Sequence, residues 1–221
     1  RVLDELKGRA PTAANDLLRF TRRVFAFGVR RRLVTSNPAA DFSPRLDAGG
    51  TERARSRALG ADELARLFEK LRETANFGED NLIAVKLLLA LCVRKGELLG
   101  ARWAEFDLDG ETTAGAVWHL PASRTKTGES LDIPLAPVVV EWLHALRVLG
   151  ARSEFIFPKR RRDPRERVPH MGIDTLNVAL QRVAHGLPHF TLHDLRRTAR
   201  THLAALGVRR EVAERCLGHK L

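Results

Sequence analysis

Apolar residues recur at helical spacing along most of the chain, and the breaks between these periodic stretches mark out its elements. Over residues 12–34, Leu17, Leu18, Phe20, Val24, Phe25 and Phe27 predict a helix whose other positions carry Arg19, Arg22, Arg23 and Arg30 to Arg32; Asn37-Pro38 closes it. Ala61-Asp62-Glu63 opens a helix to about residue 74. Glu79-Asp80-Asn81 opens another, and its body LIAVKLLLALCV is apolar almost all round, the pattern of a central core helix. Three short runs at 106–108, 116–120 and 131–134 predict the strands of a small antiparallel sheet, with Gly110 and Gly128 in the connections. Residues 136–149 form a helix with Val139, Leu143 and Leu146 inward, Phe155 to Pro158 a buried extended piece, and 171–184 a further helix. The fold class expected is mainly α with a small antiparallel β-sheet (α+β).

The last 33 residues are patterned more closely. Thr191 and Asp194 have the spacing of a capping box, so a helix starts near Leu192 and runs until Gly207 stops it. His193, Arg196, Arg197 and Arg200 stand at i, i+3, i+4 and i+7, one basic stripe, while Leu195, Ala199, His202, Leu203 and Leu206 make a mostly apolar face. The first turn offers free backbone N–H groups and the positive end of the helix dipole, so His193 and Arg196 sit where a phosphate is held. A second short helix over 209–217 ends at Gly218 and delivers His219 just beyond it. By itself this stretch reads better as an amphipathic core helix whose arginines are merely solvated.

Charge alone leaves the balance even. The 38 Lys and Arg against 27 Asp and Glu leave a net charge of +11, which suits a polyanionic partner, nucleic acid first, and equally a soluble protein with a cationic surface. A basic loop follows at 159–167, read as solvated. With 44% hydrophobic residues, 221 residues suit one good-sized domain plus a fragment of another. Cys92 and Cys216, both in helical patterns, give no disulfide framework, and the compartment expected is the cytoplasm. The longest apolar run, 82–93, contains Lys86 and is too short to span a bilayer, so no membrane partner is expected. Cys216-x-x-His219 lacks a second close pair, so no metal is expected either. Residues 43–57, with a proline, two glycines and mixed charge, read as a linker.

Three boxes now carry a resemblance. Arg94-Lys95-Gly96-Glu97 with Leu99-Gly100-Ala101-Arg102-Trp103, then Arg124-Thr125-Lys126-Thr127-Gly128, then His193-x-x-Arg196 followed by Leu217-Gly218-His219, resemble the tyrosine recombinase (phage integrase) family in kind and order. The likeness covers about 59–221. It implies the tyrosine recombinase catalytic-domain fold for 58–221, without its C-terminal tail, and makes 1–42 the C-terminal part of a helical core-binding domain. Arg94, Lys126, His193, Arg196 and His219 match five of six active-site positions, with Glu97 holding Arg94. The arginines would stabilise phosphate charge, Lys126 protonate the leaving 5′ oxygen, His193 help accept the nucleophile's proton and His219 hydrogen-bond the phosphate.

The product would be a 3′-phosphotyrosyl link, made without cofactor. The sixth position is missing: the chain has no tyrosine, and the family's nucleophile would fall past Leu221. Implied partners are double-stranded DNA attachment sites and a homo-tetramer on DNA, with accessory DNA-bending proteins beside them; Arg197, Arg200, Arg22 and Arg23 are the candidate DNA contacts. A non-catalytic DNA-binding relative and a type IB topoisomerase-like strand transferase remain the other two readings.

Overall fold

The computed structural model of the chain describes residues 2–52, 56–110, 115–150, 152–159 and 169–218. The chain divides into two compact units, Arg1–Arg55 and Ser56–Leu221.

In the first unit, α1 (Val2–Arg9) runs into α2 (Pro11–Arg30), and a short α3 (Pro44–Asp47) follows. Ala14, Leu18, Ala39 and Ala48 form its small core, with Leu3 and Leu6 against it. Residues 2–9 carry no clear helical signal in the sequence, their short polar composition hiding α1. The apolar periodicity carries α2 to 34, but Arg32 adopts a left-handed conformation (φ 56°) and the Leu33 N–H reaches back to the Gly28 carbonyl at 2.8 Å, which ends the helix. Much of the stretch read as linker is ordered onto α2. The buried Asn15 side chain donates to the Gly50 carbonyl at 3.0 Å and to Glu52 at 2.9 Å, and accepts from the Gly49 N–H at 2.7 Å. A fully satisfied amide of this kind fixes a segment that Gly and Pro content alone marks as loop.

The second unit is built around α5 (Glu79–Leu91), preceded by α4 (Ala61–Glu73). Leu82, Ile83, Val85, Leu87, Leu88 and Leu91 are all buried, which is why the helix reads as apolar on every side. Cys92 lies just past its end with φ 56°, outside the helix in which the sequence placed it. This left-handed residue turns the chain so that Arg94 immediately precedes α6 (Lys95–Leu99). The sheet has order β1-β2-β3, made of β1 (Phe106–Asp107), β2 (Val117–Leu120) and β3 (Leu131–Pro134), all antiparallel. Trp118 of β2 is fully buried and pairs with Phe106 on one side and Ile133 on the other.

Beyond the sheet come α7 (Pro137–Gly150), α8 (Ile173–Gln181), α9 (Leu192–Ala205) and α10 (Arg210–Cys216). Phe155, Ile156 and Phe157 are buried as an extended piece: the Ile156 N–H donates to the Ala101 carbonyl at 3.0 Å and the Phe157 carbonyl accepts from Met171 at 2.8 Å. Among the described residues no helix is long and apolar enough to cross a membrane.

Candidate functional site

Four backbone and side-chain devices bring the candidate residues together. The first is local. Glu97 stands three residues after Arg94; its carboxylate takes the Arg94 N–H at 2.8 Å and the Arg94 guanidinium at 2.8 Å, capping α6 and fixing the arginine in one move. Glu97 is 6% exposed, so this pair is far better shielded than a surface ion pair.

The second device is α9. Its start is capped as expected at Thr191, but with only the acidic half of the box. Asp194 accepts from both the Thr191 N–H and its hydroxyl, at 2.8 Å each, so the hydroxyl is turned onto the carboxylate and away from the helix. The basic stripe is not uniform in its exposure. Leu192, Leu195, Arg196 and Ala199 are all buried, so Arg196 falls in the core stripe of α9. His193 is exposed, Arg197 pairs with Asp194 at 3.2 Å and Arg200 with Glu214 at 2.9 Å. Leu206, expected inward, is 79% exposed because the helix has ended at Ala205.

The third device is long-range. The Arg196 guanidinium donates to the carbonyls of Cys92, after α5, and Leu217, after α10. The C-terminal ends of α5 and α10 therefore converge on one side chain of α9, which is 6% exposed. Burial, and then the charge of Arg94, lower the Arg196 pKa. His193 is lowered as well: although much of its surface is exposed, partial shielding acts first and then Arg197 and Arg196, with Arg94 contributing, so the histidine favours its neutral form. Burial also pushes the Cys92 thiol up to about 11, which removes it as a nucleophile near neutral pH.

The fourth is the cleft itself, about 640 Å³, lined by Arg94, Glu97 and Arg196 together with Leu131 and Ile133 of β3 and Leu217. The lining as a whole balances Arg94, Arg196 and Arg215 against Glu97, Glu129 and Asp132, so the feature that suits an anion is local: the two guanidiniums of Arg94 and Arg196, close enough for each charge to act on the other. Thr125 and Thr127 line the cleft and Lys126 between them is exposed. Against this geometry, the phage integrase family model matches residues 57–221. The chain belongs to the phage integrase family.

Individual relatives agree. The chain is similar to the prophage integrase IntA of Escherichia coli (strain K12), 25% identical over 221 residues that cover 97% of this chain and 50% of that protein. It is also similar to the integrase of Enterobacteria phage P4, 29% identical over 212 residues covering 89% and 45%. It thus spans about half the length of these curated relatives. Among solved structures, a lambda integrase dimer bound to a COC′ core site has TM-score 0.73 at 20% identity, over 99% of this chain and 59% of that one. The Tn1549 transposon integrase in complex with circular intermediate DNA has TM-score 0.65 at 18% identity, over 98% and 74%. Both show the same fold, mainly α with a small antiparallel sheet.

In this phage integrase chain, then, Arg94, Glu97, His193 and Arg196 are gathered into one electrostatic cluster, and Lys126 stands on the loop at its rim. His219 lies outside the described residues, as does 160–167 of the basic loop. Arg22 and Arg23 belong to α2 in the first unit, half-buried and exposed respectively. Sequence reasoning missed the two carbonyls that hold Arg196, because a backbone acceptor carries no residue signature. It also passed over Arg124 and Glu105, whose contacts are described below.

Proposed function

We propose that this phage integrase chain is the catalytic part of a site-specific DNA recombinase. It breaks and rejoins duplex DNA through a 3′-phosphotyrosyl link, integrating or excising a mobile element. The observation that carries the reading is the pair of guanidiniums, Arg94 and Arg196, each anchored by its own partners on the wall of one cleft. A phosphodiester under attack gains charge on its non-bridging oxygens, and prepositioned donors stabilise that charge without reorganising. Lys126 protonates the departing 5′ oxygen. His193, held neutral at physiological pH, takes the proton of the attacking hydroxyl, and His219 donates to the phosphate. The energy of the broken bond is kept in the protein–DNA link, so no nucleotide cofactor is required.

In this reading Arg1–Arg55 is the end of a core-binding domain, and Arg22, Arg23, Arg197 and Arg200 meet the DNA backbone. Lambda integrase structures on a core site as a dimer and on a Holliday junction as a tetramer support duplex DNA as substrate and a homo-tetramer as the working assembly. Accessory DNA-bending proteins complete the set of partners. The 221 residues contain no tyrosine, so none of them is the nucleophile in this reading.

The test is covalent trapping on a nicked attachment-site duplex, read on a denaturing gel. A polypeptide extended beyond Leu221 through its next tyrosine forms a protein–DNA adduct, the 221-residue chain forms none, and Arg94→Ala in the extended form lowers the yield by ~10²-fold or more. An extended form that binds its site and yields no adduct overturns the reading in favour of a DNA-binding role alone.

A further inference from the structure

The loop that carries Lys126 does not leave the sheet freely. Two residues before the lysine, Arg124 ends a short 3-10 turn (Ala122–Arg124), and its side chain is only 20% exposed. One arm of its guanidinium, Nη1, donates to both carboxylate oxygens of Glu105, to Oε1 at 2.5 Å and to Oε2 as well. The other arm, Nη2, donates to the backbone carbonyl of Glu97. Glu105 is fixed in turn by the indole N–H of the buried Trp118 at 2.9 Å. Glu97 thus faces two ways: its carboxylate holds Arg94 and its carbonyl receives Arg124.

That carbonyl is an unsatisfied helix-end acceptor. α6 closes so that the Ala101 N–H goes to Leu98, leaving the Glu97 oxygen without the i+4 partner a longer helix would give it. A cation at a helix C-terminus also suits the negative end of its dipole. Only a rigid fork can bridge a carboxylate and a carbonyl in one plane, which lysine cannot do. Room for the fork comes from Gly100, where a Cβ would stand 3.3 Å from Arg124 Nη2, tighter than ordinary contact. Past Arg124 the loop closes on itself, the Thr125 hydroxyl donating to the Glu129 carbonyl at 2.8 Å.

We infer that Arg124 is a positioning residue for the strand-cleavage reaction: it pins the base of the Lys126 loop to the same Glu97 that holds Arg94, so that proton donor and phosphate-binding arginine share one reference point. The inference rests on the proposed recombinase chemistry. Arg124 touches neither substrate nor the reacting atoms; its effect passes through Lys126.

A substrate whose bridging 5′ oxygen is replaced by sulfur separates this from a general loss of structure. When the phosphorus–sulfur bond breaks, the pair of electrons leaves on a thiolate that needs no proton, so a defect in proton donation disappears and a defect in phosphate stabilisation does not. In the full-length protein, Lys126→Ala cuts ordinary DNA ~10²-fold or more slowly and Arg124→Met about tenfold or more slowly; both return to near wild-type rates on the sulfur substrate. Arg94→Ala stays slow on both. Gly100→Ala, which crowds Arg124 without removing it, shows a smaller defect with the same rescue, and this keeps the test in hand if Arg124→Met is poorly folded. An unrescued defect in Arg124→Met or Gly100→Ala, beside a rescued Lys126→Ala, overturns the positioning role and leaves the recombinase reading standing. Failure to rescue Lys126→Ala itself overturns both.

Discussion

Arg196 donates to the carbonyl of Cys92, 104 residues earlier in the chain, and to that of Leu217, 21 residues later. One side chain therefore closes the contact between the end of α5 and the end of α10, and the phosphate-binding candidate is at the same time a structural clasp. Its cost is a buried cation beside Arg94, which is why burial and a like charge act on it in the same direction.

Because of that clasp, Arg196→Met is expected to lower stability, whereas an ordinary active-site substitution leaves it unchanged or raises it. The thioether matches the stem in shape but leaves two carbonyls without donors, a loss of about 1–3 kcal/mol, offset in part by relief of the buried charge. Urea unfolding of the 221-residue chain measures it. A midpoint at or above the wild-type value would mean that the carbonyls are satisfied by water as well as by the guanidinium.

His193 sets a pH dependence. Its pKa lies below the ordinary value of roughly 6.5 because of partial shielding and neighbouring arginines. The unfolded chain thus takes up this proton at a higher pH than the folded one, and the sign follows: stability is fully present above the unfolded pKa and is lost as pH falls through the folded one. Unfolding midpoints between pH 5 and 7 should decline more steeply for the wild type than for His193→Gln. In the extended form, cleavage should persist on the acid side until below the usual histidine range. Identical pH slopes for the two chains would remove His193 as the titrating group.

Duplex binding should weaken steeply with salt. With a net charge of +11, phosphate neutralisation dominates, and about five to eight contacts would give a log–log slope of roughly −4 to −7. Reversing Arg23 on the exposed side of α2, as Arg23→Glu, should flatten that slope by about one contact or more. Fluorescence anisotropy across a salt series measures both, and an affinity indifferent to salt would count against nucleic acid as the partner.

Much of the site was legible because its logic is local. Arg94 and Glu97 are three residues apart and cap a helix; Thr191 and Asp194 do the same for α9; α5 announces itself as the centre of the core by being apolar on all sides. What stayed hidden is non-local or backbone-borne. Nothing in the letters says that Cys92 and Leu217 contribute carbonyls, or that Arg124 of the hairpin loop meets Glu105 across β1 and β2. The basic spacing of α9 is legible as periodicity, but not its burial, because the same 3.6-residue period that aligns His193 with Arg197 also puts Arg196 beside Leu192 and Ala199 in the core stripe. The order in 43–52 escaped notice since it depends on one amide, Asn15, thirty-odd residues earlier.

Leu59 is gripped on both of its peptide groups by α9: its N–H donates to the Thr198 hydroxyl at 2.9 Å and its carbonyl lies 2.9 Å from His202 Nε2. These two side chains flank, one turn apart, the helix that carries Arg196. A load applied at Leu59 is therefore borne by α9, two residues from the guanidinium that clasps the ends of α5 and α10.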